Sequence, residues 1–276
     1  MIYLYFLISA ALVPILDNFY DILRQPYSWW LVPLLFVGFF LGLVILHMIW
    51  FFASFIFTSF KSNPDKGSRY YRFALKITLS MVIKLLRVKI NVSGKDLDEV
   101  PTDREMLFVC NHQHDFDPAV IWEVFPDNNI GFIGKKEIYE KMPVIGKIMH
   151  RLYGLPIDRE NNREAVKTII GAIKLLQDKK ASVAVFPEGY TSKQCELLPF
   201  RNGVFKIALK AKVPIVVCVI HGTRKLPKRL FWRGGEVNFS LVDVIYPEEY
   251  EGMSTNELGD KIHAQMSEAF EKIKNQ

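Results

Sequence analysis

Two long apolar runs open the chain, and short ones follow. Ile2 to Leu16 is fifteen residues without a charge and Trp29 to Phe60 is thirty-two, joined by the polar link Asp17 to Ser28. A helix needs about 20 apolar residues to cross the hydrocarbon core of a bilayer, so the second run is ample and the first marginal. The pattern predicts a membrane-embedded pair of helices over residues 1–60. Pro33 and the surplus length of the second run imply tilt or an interfacial portion, where Trp29, Trp30 and Trp50 are comfortable. A secretory signal is the alternative for the first run, but no Lys or Arg precedes it and no clear small-x-small cleavage site follows. Core helices of a soluble protein are the other alternative, although helices apolar on every face for so long are rare there.

Beyond residue 60 the apolar runs shorten to the length of strands and helix faces. Lys89 to Gly94 alternates and ends in a Gly turn, and Met106 to Cys110 is five apolar residues in a row, the mark of a buried strand. Pro118 to Phe125 reads as a helix, ended by Pro126 to Asn129, and Ile130 to Gly134 as the next strand. A short helix follows Lys135, interrupted by Pro143 and Gly146, and then a strand over Gly154 to Arg159. Asn161 or Asn162 caps a helix with Val166, Ile169, Ile170, Ile173 and Leu176 on one face. Ser182 to Phe186 is a strand ending in Pro187-Glu188-Gly189. Val204 to Lys210 reads as a helix, Pro214 to Ile220 and Glu236 to Tyr246 as strands, and Asn256 to Lys274 as an amphipathic helix. Strands alternating with helices predict an α/β fold with a mostly parallel central sheet flanked by helices, over residues 96–276. No internal repeat or linker divides this body.

Charge sharpens the division. The chain has 276 residues and a net charge of +6, yet residues 1–60 hold only Asp17, Asp21 and Arg24, so the positive balance lies in the remainder. Between Lys61 and Lys95 nine basic residues face the single acid Asp65, which by the positive-inside rule puts the body on the cytoplasmic side of a membrane. Tyr70 to Leu86 mixes apolar residues with Lys and Arg, as suits a helix on a headgroup surface, with a solvated helix face as the alternative. Residues 61–95 therefore read as a basic membrane-surface segment. A basic body implies an anionic partner, either phospholipid headgroups or a phosphorylated substrate. Nucleic acid is not expected, because there is no basic stripe interleaved with aromatics and no familiar nucleic-acid module. Cys110, Cys195 and Cys218 are odd in number and lack metal-ligand spacing, which predicts free thiols in a reducing compartment.

The candidate chemistry lies in Asn111 to Pro118, a polar run at the carboxyl end of a buried strand, where ligands bind in open α/β sheets. Four residues separate His112 from Asp117, enough for a loop to fold the carboxylate back onto the imidazole. A His held by an Asp is a general base, because the carboxylate fixes the tautomer and stabilises the imidazolium. The plainer alternative is that Asp117 caps a helix beginning at Pro118 and His112 is a loop residue. His112, His114, Asp115 and Asp117 also crowd together, and a metal hydrolase is the alternative enzyme class. The other histidines, His47, His150, His221 and His263, stand in no paired motif, so no metal is expected.

Four motifs follow in order: Asn111-His112-Gln113 with Asp117; Gly134-Lys135-Lys136-Glu137 through Ile157-Asp158-Arg159; Phe186-Pro187-Glu188-Gly189; and Val213-Pro214-Ile215-Val216. Together they resemble the 1-acylglycerol-3-phosphate acyltransferase family of glycerolipid acyltransferases, over roughly Leu107 to Ile220, and the leader looks like the N-terminal membrane helices of bacterial members. The resemblance implies transfer of a fatty acyl group from acyl-CoA or acyl carrier protein to the free hydroxyl of lysophosphatidate, with no further cofactor. It makes His112 the base and Asp117 its orienting partner. Arg159 becomes a bidentate fork for the acceptor phosphate, with Lys135 or Lys136 as auxiliary charge. Glu188 is read as orienting an arginine or accepting from a hydroxyl, and Gly189 as permitting close backbone approach. An apolar tunnel or groove is expected for the acyl chain. Another lysophospholipid or glycerol 3-phosphate is the alternative acceptor, and a non-catalytic lipid-binding protein the alternative class. Two positions depart from the family pattern: His114 stands where Ser is usual, and Tyr190-Thr191-Ser192 replaces Thr-Arg-Ser.

Overall fold

The strands form one seven-stranded sheet among the residues that the computed structural model describes, 1–20, 30–192, 194–228 and 234–274. They are β1 (Val88–Gly94), β2 (Leu107–Cys110), β3 (Ile130–Lys135), β4 (Leu155–Ile157), β5 (Ser182–Val185), β6 (Ile215–His221) and β7 (Gly235–Ile245), in the order β1-β7-β6-β2-β5-β3-β4. From β6 to β4 every neighbouring pair is parallel, while β7 runs antiparallel to β6 and β1 parallel to β7. The carboxyl ends of β2 to β6 therefore share one edge, and the residues of the first three motifs lie on or near it, whereas Val213-Pro214-Ile215-Val216 opens β6 at the opposite edge.

Burial on both faces explains the continuous apolar strands. Leu107 and Val109, Val183 and Val185, and Ile215, Val217 and Val219 point into one core. Their alternates Phe108 and Cys110, Ala184, and Val216, Cys218 and Ile220 point into the other. The first core is closed by α7 (Asn162–Gln177), α8 (Lys206–Ala211) and α9 (Thr255–Lys274), the last contributing Leu258, Ile262, Met266, Phe270 and Ile273 at helical spacing. The second is closed by α3 (Ser68–Leu85) and α4 (Asp117–Val124). Asn161 caps α7 by accepting from the amides of Arg163 and Glu164.

The leader forms α1 (Ile2–Tyr20) and α2 (Leu31–Ile56). The expected polar link begins later than Asp17, because α1 continues to Tyr20; the rest of it, with Trp29, lies outside the described residues. Both helices are long and apolar enough to cross a membrane. Only a narrow stripe of α2, Val44, His47, Phe51 and Phe55, is buried, and Leu34, Val37, Leu41, Ile45 and Ile49 are exposed. A buried polar chain ties three helices: the Tyr5 hydroxyl bonds His47 Nδ1 at 2.6 Å, and His47 Nε2 bonds Thr78 Oγ1 at 2.8 Å. α3 thus buries Ala74, Thr78 and Met81 while leaving Tyr70 and Phe73 exposed.

Three local expectations differ from the structure. Gly146 does not interrupt a helix: α5 (Lys136–Lys141) ends, Pro143 opens α6 (Pro143–Arg151), and Gly146 sits inside α6. There a Cβ would lie 2.7 Å from Tyr139 Cα, so the absent side chain lets the two helices close on each other. The helix expected at Val204 begins as a 3₁₀ turn over Asn202–Phe205, and α8 starts at Lys206. The apolar stripe of α7 is only partly covered: Leu176 is buried, whereas Val166 and Ile170 are exposed along a groove.

Candidate active site

The loop after β2 is held by side chains that bond backbone. Asn111 accepts from the amide of Ile220 at 2.7 Å and donates to its carbonyl at 2.9 Å, stapling the end of β2 to β6. Asp117 opens α4 and turns back over the loop, where its wholly buried carboxylate collects three donors on Oδ2. These are His112 Nδ1 at 2.8 Å and the amides of Gln113 at 2.6 Å and His114 at 2.8 Å. A carboxylate oxygen with three N–H donors in the first turn of a helix is a site built for negative charge. With Nδ1–H committed to Asp117, the free Nε2 carries the lone pair, and no described protein group bonds it. The imidazole also stacks on Phe186, ring centres 4.2 Å apart and planes 15° from parallel, so both its tautomer and its plane are set.

Glu188, at the end of β5, does something other than the sequence suggested. Among the described residues its carboxylate reaches neither an arginine nor a free hydroxyl: Oε1 accepts from the His112 amide at 2.7 Å and Oε2 from the Leu198 amide at 3.0 Å. It is a buried strut between the His112 loop and the segment after Gly189, aided by the Ser192 amide donating to the His112 carbonyl at 2.8 Å. Burial pushes its carboxyl up to about 7, with the two amide bonds working in the opposite direction.

Arg159 follows β4 and projects over the Tyr190 ring, 5.5 Å from its centre. Burial, then the charge of Arg201, holds its guanidinium below the ordinary value. Gly189 has φ +77°, and a Cβ there would lie 3.0 Å from Arg201 Nε, so the turn leaves room for that side chain. Lys135 and Lys136 are exposed at the junction of β3 and α5, where Lys136 meets Glu140 at 3.4 Å and Asp158 at 4.0 Å. Lys135 pairs in register with Ile157, two residues before Arg159. His112, Asp117, Glu188 and Gly189 are thus brought together, Arg159 joins them through Tyr190, and the lysines stand at the periphery. Among the described residues no three His, Cys, Asp or Glu side chains converge as metal ligands.

Residues 89–221 match the family model for acyltransferases. This segment belongs to the acyltransferase family. Among curated relatives, a 1-acyl-sn-glycerol-3-phosphate acyltransferase of Limnanthes douglasii is 28% identical over 155 residues, 56% of this chain and 51% of that protein. One of Saccharomyces cerevisiae is 27% identical over 214 residues, 75% and 65% of the two chains, and one of Salmonella typhimurium is 31% identical over 131 residues, 46% and 53%. The chain spans about half the length of several curated relatives it matches. A crystal structure of the 1-acyl-sn-glycerophosphate acyltransferase PlsC of Thermotoga maritima shares the fold, with a TM-score of 0.59, 22% identity, and coverage of 100% of this chain and 99% of that one.

The same segment also carries a groove of about 590 Å³ between α7, the ends of β3 and β5, and the turn before α8. Ile133, Ile157, Ile169, Ile173 and Val185 line it, Phe186 joins it to the His112 ring, and Arg159 and Arg201 stand at its rim. Sequence reasoning missed Phe186 as the stacking partner and Arg201 altogether. Phe186 could have been found as the residue that follows β5 beside the loop. Arg201, in Pro199-Phe200-Arg201-Asn202-Gly203, carries no signal in spacing or periodicity.

Proposed function

We propose that this protein is a membrane-bound acyltransferase that moves a fatty acyl group from a thioester, acyl-CoA or acyl carrier protein, to the free hydroxyl of lysophosphatidate, giving phosphatidate. The observation that carries the reading is the 2.8 Å bond from His112 Nδ1 to a buried Asp117, which leaves Nε2 free. His112 Nε2 takes the hydroxyl proton as the oxygen attacks the thioester carbonyl, and Asp117 stabilises the imidazolium. Collapse of the tetrahedral intermediate breaks the carbon–sulfur bond, and the departing thiolate recovers the proton from His112. A thioester is already activated, so no acyl-enzyme is needed. The apolar groove suits an acyl chain, and the arginines at its rim suit a phosphate.

The printed names of the curated relatives support this acceptor. The exposed apolar faces of α1 and α2 support membrane attachment, and the basic residues after α2 support a catalytic body on the cytoplasmic face. Purified protein given lysophosphatidate with acyl-CoA, and separately with acylated acyl carrier protein, is expected to release free thiol and phosphatidate. His112→Ala is expected to abolish both while its thermal unfolding midpoint stays near that of the parent; undiminished turnover would refute the assignment.

A further inference from the structure

Gln113, the residue after His112, is wholly buried, and the end of β6 holds its side chain. The amide of Gly222 donates to Gln113 Oε1 at 3.1 Å. That bond fixes the orientation of the carboxamide, because only the oxygen accepts, and it turns the NH2 group toward His221. Gln113 Nε2 lies 3.4 Å from His221 Nδ1. The NH2 group has only hydrogens to offer, so Nδ1 must present its lone pair and the ring proton belongs on Nε2. The backbone N–H of the same glutamine donates to Asp117 Oδ2 at 2.6 Å, and that oxygen also orients His112. One residue thus joins His221 to the carboxylate behind the base.

His221 stands on the side of His112 away from the apolar groove. Along the carboxyl edge the groove lies at β3, β4 and β5, His112 follows β2, and His221 ends β6. The His221 ring meets that of Phe270 on α9 edge-on, 5.7 Å between centres. It lines a polar cavity of about 170 Å³ with Lys225, Glu236, Asn238 and Lys274. Burial first, then the charges of Lys225 and Lys274, holds the imidazole below its ordinary value. Glu236 is the one acid among the described lining residues, and it lies 4.0 Å from Lys89; Lys274 lies 3.6 Å from Glu271. The surroundings therefore favour the neutral ring that Gln113 requires. Resting on the reading that His112 is the general base, we propose that neutral His221 is a positioning residue for His112 and acts through Gln113. A proton on His221 Nδ1 sets donor against donor at the Gln113 NH2 group. The displaced side chain then draws its backbone N–H from Asp117 and loosens the carboxylate that fixes the His112 ring.

The test joins kinetics to nitrogen NMR of isotope-labelled histidines, on the full chain in micelles. At neutral pH the His221 ring of the parent is expected to carry its proton on Nε2 and a lone pair on Nδ1; the other tautomer, or a doubly protonated ring, overturns the proposal. His221→Ala leaves the Gln113 N–H without its acceptor. It is expected to lower kcat about tenfold with KM for donor and acceptor unchanged, and to move the His112 Nδ1–H resonance. His221→Asn puts an accepting oxygen near the place of Nδ1 and is expected to recover most of that loss. Because asparagine does not titrate, the acidic limb of log kcat should flatten from a slope of about 2 in the parent to about 1. Equal losses in the two variants, an unchanged slope, or a raised KM for the donor overturns the proposal. The parent tautomer and the asparagine slope decide the matter even where the alanine variant fails to fold. A parent that transfers no acyl group, yet whose His112 resonance moves in His221→Ala, would uphold the contact and overturn the acyltransferase reading, so the two fail separately.

Discussion

Replacing Asp117 by asparagine separates the charge of the orienting residue from its shape. In the Asp117→Asn variant the side-chain amide oxygen can still accept from the backbone amides of Gln113 and His114, so the loop after β2 keeps its turn. What is lost is the negative charge beside His112 Nδ1, 2.8 Å from the carboxylate in the parent. An ion pair at about 4 Å with an effective dielectric constant near 20 is worth about 4 kcal/mol, and this is the stabilisation withdrawn from the imidazolium in the transition state. At about 1.36 kcal/mol per tenfold, kcat should fall about a thousandfold. KM for the acceptor should hold, because Asp117 is wholly buried and does not face the groove. Initial rates of thiol release at saturating donor, with thermal unfolding as the control for the loop, measure both quantities. A variant with an unchanged unfolding midpoint and kcat within about threefold of the parent would show that His112 needs no carboxylate, and the general-base argument would fail.

Two further predictions concern the segment that packs on this loop. Glu188 has its carboxyl raised from 4.5 to about 7, so the folded chain holds a proton that the unfolded chain has released across that interval. Its contribution to stability is complete below pH 4.5 and is lost as pH rises through about 7, by on the order of 3 kcal/mol. Denaturant midpoints of the parent should fall between about pH 5 and 8, and Glu188→Gln should flatten that slope; parallel pH profiles would contradict the role of burial. Gly189→Ala places a side chain at φ +77° and 3.0 Å from Arg201 Nε. It should cost about 1–2 kcal/mol of stability and, by displacing Arg201, raise KM for a phosphomonoester acceptor more than it changes kcat. An unchanged KM would remove Arg201 from the acceptor site.

The physical basis of what is legible in the sequence is local. A strand buried on both faces must be apolar at every position, so β2, β5 and β6 stand out as runs, and the polar residues that end them lie at the sheet edge. The meeting of His112 and Asp117 follows from five positions of chain and a helix start. Gly146 misleads because a glycine inside a helix signals a break by propensity alone, while its actual role depends on how close α5 comes. Val166 and Ile170 share a side with covered residues yet lie exposed, because periodicity reports which residues share a face without reporting what lies opposite.

By itself, the order of residues determined the apolar leader, the α/β alternation, the basic body and a histidine with a carboxylate in reach, because each depends on neighbours within one or two turns of chain. Tertiary structure decided the rest. It turned Glu188 into a strut for the His112 amide, laid Phe186 against the imidazole, reversed β7 against β6, and set Arg159 and Arg201, 42 positions apart, on one tyrosine ring. Those placements depend on which strand ends share an edge, and that is settled by packing two apolar faces of a single sheet rather than by any stretch of the chain.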